Sequence, residues 1–196
     1  MSHYFSQTQE SAFKLSTIKD TVRGVRLELS IAPGVFSAKR IDFGSKLLAE
    51  KMIIGTNDSV LDLGCGIGIV GIVAAHLTEN EVVLTDVNER ACKLAEMNSR
   101  KIKNITVVCG YMYEKVKQRK FDVILLNPPQ TAGKKICFEM IERAKDHLNP
   151  NGTLQIVARH NKGGETLSLK MKEVFGNAKD IAKSGGYRVY ISQKAL

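Results

Sequence analysis

From about residue 59 onward, short apolar runs alternate with segments of helical periodicity, and this alternation constrains the fold more than any other feature. Strands are expected at 59–63, 81–86, 105–109, 121–126 and 153–158, with helices at 69–77, 88–101 and 134–148. Asn88 is the expected N-cap of the second of these helices, and Asn149-Pro150-Asn151-Gly152 is expected to stop the third. Parallel neighbours in a sheet need a crossover, usually a helix, so the pattern predicts an α/β fold with a mostly parallel, doubly wound, Rossmann-like sheet. The tail breaks the alternation. After a helix over 165–175, the segments 178–182 and 187–192 flank Lys183-Ser184-Gly185-Gly186, an antiparallel C-terminal hairpin that completes seven strands.

Upstream, Val25, Leu27, Leu29 and Ile31 alternate with polar or small residues and run into the Pro33-Gly34 turn, the pattern of a half-buried strand in a hairpin or arm. Phe43, Leu47, Leu48 and Met52 share one helical face over 42–54. The 196 residues, 43% hydrophobic, suffice for one core. We therefore expect an extension and strand over 1–30 and one domain over 31–196, with no repeat or linker. Four cysteines, at 65, 92, 109 and 137, have neither metal nor disulfide spacing. Neither a signal peptide nor an apolar run of about 18 residues is visible, so the chain is expected to be cytoplasmic and independent of membranes. Its 29 Lys and Arg against 20 Asp and Glu give +9, a charge suited to polyanions such as RNA.

The segment Val60-Leu61-Asp62-Leu63-Gly64-Cys65-Gly66-Ile67-Gly68 takes an apolar strand into a loop with glycine at alternate positions and then into a helix. Side chains there would block a ligand lying against the backbone. Asp86, ending the next strand, is placed for a ribose hydroxyl pair. A dinucleotide and S-adenosylmethionine both suit this geometry. Gly66 to Gly71 matches G-x-G-x-x-G, but counted from the strand end at Gly64 the last required glycine would be Ile69, so the dinucleotide register fails. Asp62-Leu63-Gly64 instead resembles motif I of the class I methyltransferases, where the carboxylate contacts the methionine end of the cofactor or orders the loop that does.

Val123-Ile124-Leu125-Leu126-Asn127-Pro128-Pro129-Gln130 leaves a strand abruptly, and two prolines make the turn rigid. It resembles the Asn-Pro-Pro-aromatic motif of methyltransferases that modify amino groups. A conjugated amine is a poor nucleophile because its lone pair lies in the π system. Two acceptors aimed at its N–H groups, the Asn127 side-chain oxygen and the Pro128 carbonyl, would favour the pyramidal nitrogen of the transition state. Such chemistry needs no metal, and His3, His76, His147 and His160 show no metal spacing. His76 and His147 fall at expected helix ends. Cytosine C5 chemistry would require a nucleophilic cysteine near the motif, and none occurs before Cys137.

From about Ile31 to Ser192 the chain resembles the RsmC family, guanine-N2 methyltransferases of small-subunit ribosomal RNA, and its archaeal single-domain relatives. The resemblance extends to Pro33-Gly34-Val35-Phe36-Ser37, to Ile41-Asp42-Phe43-Gly44-Ser45-Lys46-Leu47-Leu48 and to Gly185-Gly186-Tyr187-Arg188-Val189-Tyr190. It implies a class I methyltransferase fold, S-adenosylmethionine as donor and S-adenosylhomocysteine as product. Asp62, Gly64, Cys65 and Gly66 would line the methionine end. Asp86 and Val87 would hold the ribose side, Met112 the adenine side, and Asn127, Pro128 and Pro129 the acceptor amine, with Asn127 also touching the cofactor. Phe36, Gln130 and Lys134 would meet the substrate.

Two positions depart from the family pattern. Gln130 stands where an aromatic ring usually stacks on the base, a role open to Phe36, Tyr111 or Tyr113. Cys109-Gly110-Tyr111-Met112 lacks the Asp or Asn that commonly binds the adenine amine. The partner implied is small-subunit rRNA or a ribosomal assembly intermediate, with Lys39-Arg40, Lys115, Lys117, Arg119-Lys120 and Lys134-Lys135 as basic contacts. Methylation of transfer RNA, methylation of a protein glutamine amide, and a noncatalytic RNA-binding assembly role remain open.

Overall fold

The computed structural model describes residues 14–36 and 40–196. The first 13 residues of the expected N-terminal extension, His3 among them, lie outside the described residues, as do Ser37 and Lys39.

The first described unit is a hairpin of β1 (Ser16–Val22) and β2 (Val25–Ile31). Arg23 and Gly24 both take left-handed φ values, 48° and 79°, as a two-residue hairpin turn requires. The turn is anchored on α1 (Phe43–Lys51): Arg23 donates its backbone N–H to Glu50 and its guanidinium to the Met52 carbonyl. Leu27, Leu29 and Ile31 alternate inward and join the main core.

The main sheet follows with β3 (Val60–Leu63), β4 (Val82–Asp86), β5 (Ile105–Cys109), β6 (Phe121–Leu126), β7 (Leu148–Arg159), β8 (Lys179–Ser184) and β9 (Tyr187–Gln193). Its order is β5-β4-β3-β6-β7-β9-β8, with β3 to β7 parallel and β9 antiparallel to both neighbours. The expected seven strands, crossover connections and C-terminal hairpin are all present. β3 is buried along its whole length, as a central parallel strand must be. Because the chain winds outward from β3 in one direction and from β6 in the other, the switch point falls between them. The carboxyl ends of these two strands carry Gly64 and Asn127.

Helices α2 (Ile69–Ala75) and α3 (Glu89–Ser99) pack with α1 and the hairpin on one face of the sheet. On the other face lie α4 (Lys134–Ala144) and α5 (Gly164–Phe175). Strand β6 serves both layers, presenting Val123 and Leu125 to the first and Ile124 and Leu126 to the second. Asn88 caps α3, its Oδ1 accepting from Arg90 and Ala91, while its Nδ2 donates to the Gly34 carbonyl. Arg90 reaches the Pro33 carbonyl, so the Pro33-Gly34 turn is fixed on α3 and Phe36 is carried to the sheet's carboxyl edge.

Two expectations require correction. Asn149 to Gly152 stops the helix but belongs to β7, because Asn149 Nδ2 donates to Asp122, Asn151 N–H donates to the Lys194 carbonyl, and Lys194 N–H returns a bond to Gly152. Asn151 sits at φ 64° in this bulged start. His147 stands at the helix end as expected but does not cap it: it is buried, stacked on Tyr113 at 4.4 Å, and its Nδ1 lies 3.1 Å from the Arg119 carbonyl. Among the described residues, no helix is long and apolar enough to cross a membrane. No group of three His, Cys, Asp or Glu among them could hold a metal.

Candidate active site

The glycine loop starts where β3 ends. Gly64, Gly66 and Gly68 have φ values of 73°, 55° and 91°, a region closed to most side-chain-bearing residues. The Gly64 and Cys65 N–H groups donate to the Thr85 carbonyl, and Gly66 N–H donates to Asp86 Oδ2 at 2.8 Å, so β4 holds the loop from one side. A Cβ on Gly66 would meet nothing within 4 Å, and one on Gly64 only Met140 Cε at 4.0 Å. The loop is thus a bare-backbone cradle that side chains would fill. Gly71 works differently: a Cβ there would lie 2.5 Å from Leu84 Cδ1, so the glycine lets α2 press against β4.

Asp62 is buried and its Oδ2 accepts from Gly71 N–H at 2.8 Å, which ties β3 to the first turn of α2. Burial pushes its carboxyl up to about 7; the Gly71 bond opposes the rise and the Asp86 charge adds to it. Burial likewise raises Asp86, against N–H donors from Asn88, Gly66 and Val87. Asp86 Oδ1 accepts from Asn88 at 2.9 Å, so the carboxylate links the glycine loop to the start of α3. Burial drives the Cys65 thiol well above its ordinary value and raises those of Cys92 and Cys137. None of these three is poised as a thiolate nucleophile.

Above the loop opens a cavity of about 840 Å³, mouth included, within the size range of small-molecule sites. Gly64, Gly66, Asp86, Val87 and Met112 form one side, Asn127, Pro128 and Pro129 the other, and Phe36 borders the mouth. A smaller compartment beside it is walled by Asp62, Cys65, Ser45 and Asn127. Met112 has φ 47°, and its carbonyl accepts from Thr85 Oγ1, which fixes the loop after β5. Tyr111 lines the cavity, half-exposed. Tyr113 is fully buried and donates its hydroxyl to the Met140 carbonyl at 2.8 Å, so it is no candidate for base stacking.

Asn127, half-buried just past the end of β6, is oriented by two residues to which sequence alone assigned no role. Its Nδ2 donates to Ser45 Oγ at 3.0 Å and lies 3.5 Å from both Asp42 carboxylate oxygens. Asp42 is the N-cap of α1, accepting from Gly44 and Ser45 N–H. With the amide nitrogen committed to α1, no described group donates to Asn127 Oδ1, which is left to accept from a ligand. The sequence carried a signal only for the cap, an Asp directly ahead of an apolar helical run. The Pro128 carbonyl already accepts from Gln130 N–H at 2.8 Å and retains one lone pair.

Gln130 and Lys134 stand apart from this cavity. Gln130 Nε2 donates to the Lys162 carbonyl at 2.9 Å and its Oε1 accepts from Arg159 N–H at 3.4 Å, so the side chain fastens the end of β7 to the Asn-Pro-Pro turn. Lys134 is exposed at the start of α4 and forms none of the cavity wall. Of the other basic residues, Arg119 is occupied by Glu81 and by the Phe121 ring.

The model of the "Methyltransferase small domain" family matches residues 26–191. The uncharacterized protein YbxB of Bacillus subtilis is 30% identical, with 98% of each chain covered. The ribosomal RNA small subunit methyltransferase C of Mannheimia succiniciproducens is 32% identical over 96% of this chain and 58% of its own length. This chain therefore spans a little over half of that relative. Among solved structures, the T. thermophilus 16S rRNA N2 G1207 methyltransferase, in complex with AdoMet and guanosine, has a TM-score of 0.83 at 23% identity, covering 94% of this chain and 51% of that one. This likeness extends the agreement to the fold. With its family model matched over most of its length and a relative aligned from end to end, the chain belongs to the methyltransferase small-domain family.

Proposed function

We propose that this protein transfers a methyl group from S-adenosylmethionine to the exocyclic N2 amine of a guanine in small-subunit ribosomal RNA, releasing S-adenosylhomocysteine. The observation that carries the reading is the clamp on Asn127, whose nitrogen is held by Ser45 and whose oxygen borders the cavity above the glycine loop. The cradle over Gly64 and Gly66 suits the methionine end of the donor, with Cys65 as a small neighbour. Asp86, at the carboxyl end of β4 and on the cavity wall, suits the ribose hydroxyls, beside Val87. Met112 and Tyr111 offer the apolar wall for the adenine.

When bound, the donor supplies an electrophilic methyl on a sulfonium. The chain's part is to bring an amine into line with it. Asn127 Oδ1 and the free lone pair of the Pro128 carbonyl accept from the two N–H groups of the amine and draw its lone pair out of conjugation. Pro129 keeps that carbonyl in place. Neither acceptor titrates, so the amine's proton leaves to water. Positioning rather than covalent chemistry supplies the rate. Phe36 and Tyr111 are the rings at hand for stacking on the base.

The charge of +9 and the rRNA methyltransferase relative support RNA as the substrate, either free or in an assembly intermediate, with the cytoplasm as the site of action. The test is incubation with methyl-labelled S-adenosylmethionine and, in parallel, unmodified small-subunit rRNA, transfer RNA and a protein extract, followed by digestion to nucleosides and amino acids. Label in N2-methylguanosine supports the proposal. Label confined to transfer RNA or to protein glutamine refutes it.

A further inference from the structure

Beside the cavity runs a second, open depression, framed by the hairpin, the start of α1 and the β8–β9 turn. Its chemistry is aromatic and basic. Phe43, the first residue of α1, is about half exposed, and its ring lies 5.4 Å from that of Tyr187, tilted by 45°. Gly185 leaves Phe43 its place, because a Cβ there would come within 3.0 Å of the ring. Arg159 stands opposite Tyr187 in the β7–β9 register, and its guanidinium lies over the Tyr187 ring at 5.3 Å.

The charges of the depression do not cancel. Lys46 neutralises Asp20 at 2.9 Å, and the carboxylate of Asp42 is engaged by the α1 N–H groups and Asn127. Lys19 pairs with Glu28 across 3.3 Å, with both side chains mostly exposed, so solvent and salt screen that pair heavily. Arg40 and Arg159, both exposed, have no carboxylate partner among the described residues. Two guanidinium groups without a carboxylate partner among the described residues therefore flank a ring pair, Phe43 about half exposed and Tyr187 half-buried.

Buried Gly44 stands between the depression and the candidate cavity. A Cβ on that residue would lie 3.2 Å from the Tyr187 ring and 3.5 Å from Asn127 Nδ2. The acceptor clamp and the aromatic pair thus meet across one glycine. Gln130 strengthens the link, since it holds the backbone of Arg159 to the Asn-Pro-Pro turn.

Resting on the function proposed above, we infer that this depression seats the single-stranded RNA flanking the acceptor base, with Phe43 and Tyr187 as a stacking platform and Arg40 and Arg159 as phosphate contacts. Aromatic faces beside free cations are the general solution for holding unpaired nucleotides. Arginine serves both parts, stacking on a ring and binding phosphate through its planar fork.

The test is fluorescence anisotropy of a fluorescein-labelled, 20-nucleotide single-stranded RNA titrated with the full chain at several salt concentrations. The double variant Arg40→Ala with Arg159→Ala should lower the slope of log affinity on log salt by about 1.4, or about 0.7 per phosphate contact on a single strand. Phe43→Ala should weaken binding about 5- to 150-fold at fixed salt, and Phe43→Trp should restore it. Replacing Arg100 and Lys101, which lie beside β2 in a different depression, with alanine should leave affinity within about twofold. Retained binding of S-adenosylhomocysteine by each variant establishes that it is folded.

Groove variants that bind the RNA like the wild type overturn the inference, as does binding that follows Arg100 and Lys101 or a duplex held more tightly than the single strand. If the groove variants lose RNA but the wild type methylates no guanine in the rRNA, the functional reading fails while the groove stands. Methyl transfer with an unchanged KM in the groove variants removes the groove alone.

Discussion

Ser45 and Asn127, 82 residues apart in sequence, are joined by a hydrogen bond of 3.0 Å from the amide nitrogen of Asn127 to the hydroxyl of Ser45. An asparagine amide can present either its oxygen or its nitrogen to a ligand, and only the oxygen can receive an amine's N–H. By engaging the nitrogen, Ser45 and the Asp42 cap decide which end faces the cavity. The N-terminus of α1 is in this sense part of the candidate site.

Ser45→Ala should therefore lower kcat by about 10-fold, the worth of roughly one hydrogen bond in orientation, and leave the affinity for S-adenosylhomocysteine unchanged. Ser45→Thr, which keeps the hydroxyl, should recover much of the rate. Steady-state methyl transfer at saturating donor reads the difference. A loss confined to KM would contradict the orienting role.

Asn127→Ala removes the acceptor itself. By analogy with loss of a transition-state hydrogen-bond partner, kcat should fall by about 100- to 1,000-fold. Calorimetry with S-adenosylhomocysteine should still show binding, because the cradle and Asp86 are untouched.

Gly66→Ala tests the cradle. Its φ of 55° costs an L residue about 1–2 kcal/mol, and the added methyl would project into open space over the loop. We expect a lower Tm and an affinity for S-adenosylhomocysteine reduced by more than about 10-fold, at least the penalty of that strain. An unchanged affinity would place the donor elsewhere.

Asp62 gives a pH dependence whose sign follows from its environment. Its carboxyl is raised from 3.8 to about 7 by burial. Below about pH 4 it is protonated in both folded and unfolded states and carries no penalty. Between about pH 4 and 7 the unfolded chain ionises and the folded chain does not, so stability declines by up to about 1.4 kcal/mol per pH unit. Asp62→Asn keeps an acceptor for Gly71 and removes the titration. The Tm of the unliganded variant, relative to wild type, should rise between pH 5 and pH 8. A constant difference across that range would mean that Asp62 is ionised throughout.

The sequence made the sheet and the cradle readable because their signals are local. The strand that ends in Asp62-Leu63-Gly64, the crossover helices and the Gly185-Gly186 hairpin each announce themselves within a few residues. The start of β7 did not, because Asn149, Pro150 and Gly152 favour turns, and their strand pairing comes from Asp122 and Lys194. The tethering of Gln130 was hidden for the same reason: its partners, Arg159 and Lys162, lie about 30 residues ahead. Position 127 stood out by its prolines, but the residues that aim its amide come from a helix across the sheet. The burial of Tyr113 and His147 was not legible either, because the carbonyls they meet, of Met140 and Arg119, come from segments about 28 residues away.

The central claim is a geometry, and a crystal structure with S-adenosylhomocysteine and guanosine measures it. The account predicts the homocysteine end over Gly64 and Gly66 and guanine N2 within about 3.2 Å of Asn127 Oδ1, the reach of a hydrogen bond. A guanine that turns another edge to Asn127, or a donor product bound away from the glycine loop, would contradict it.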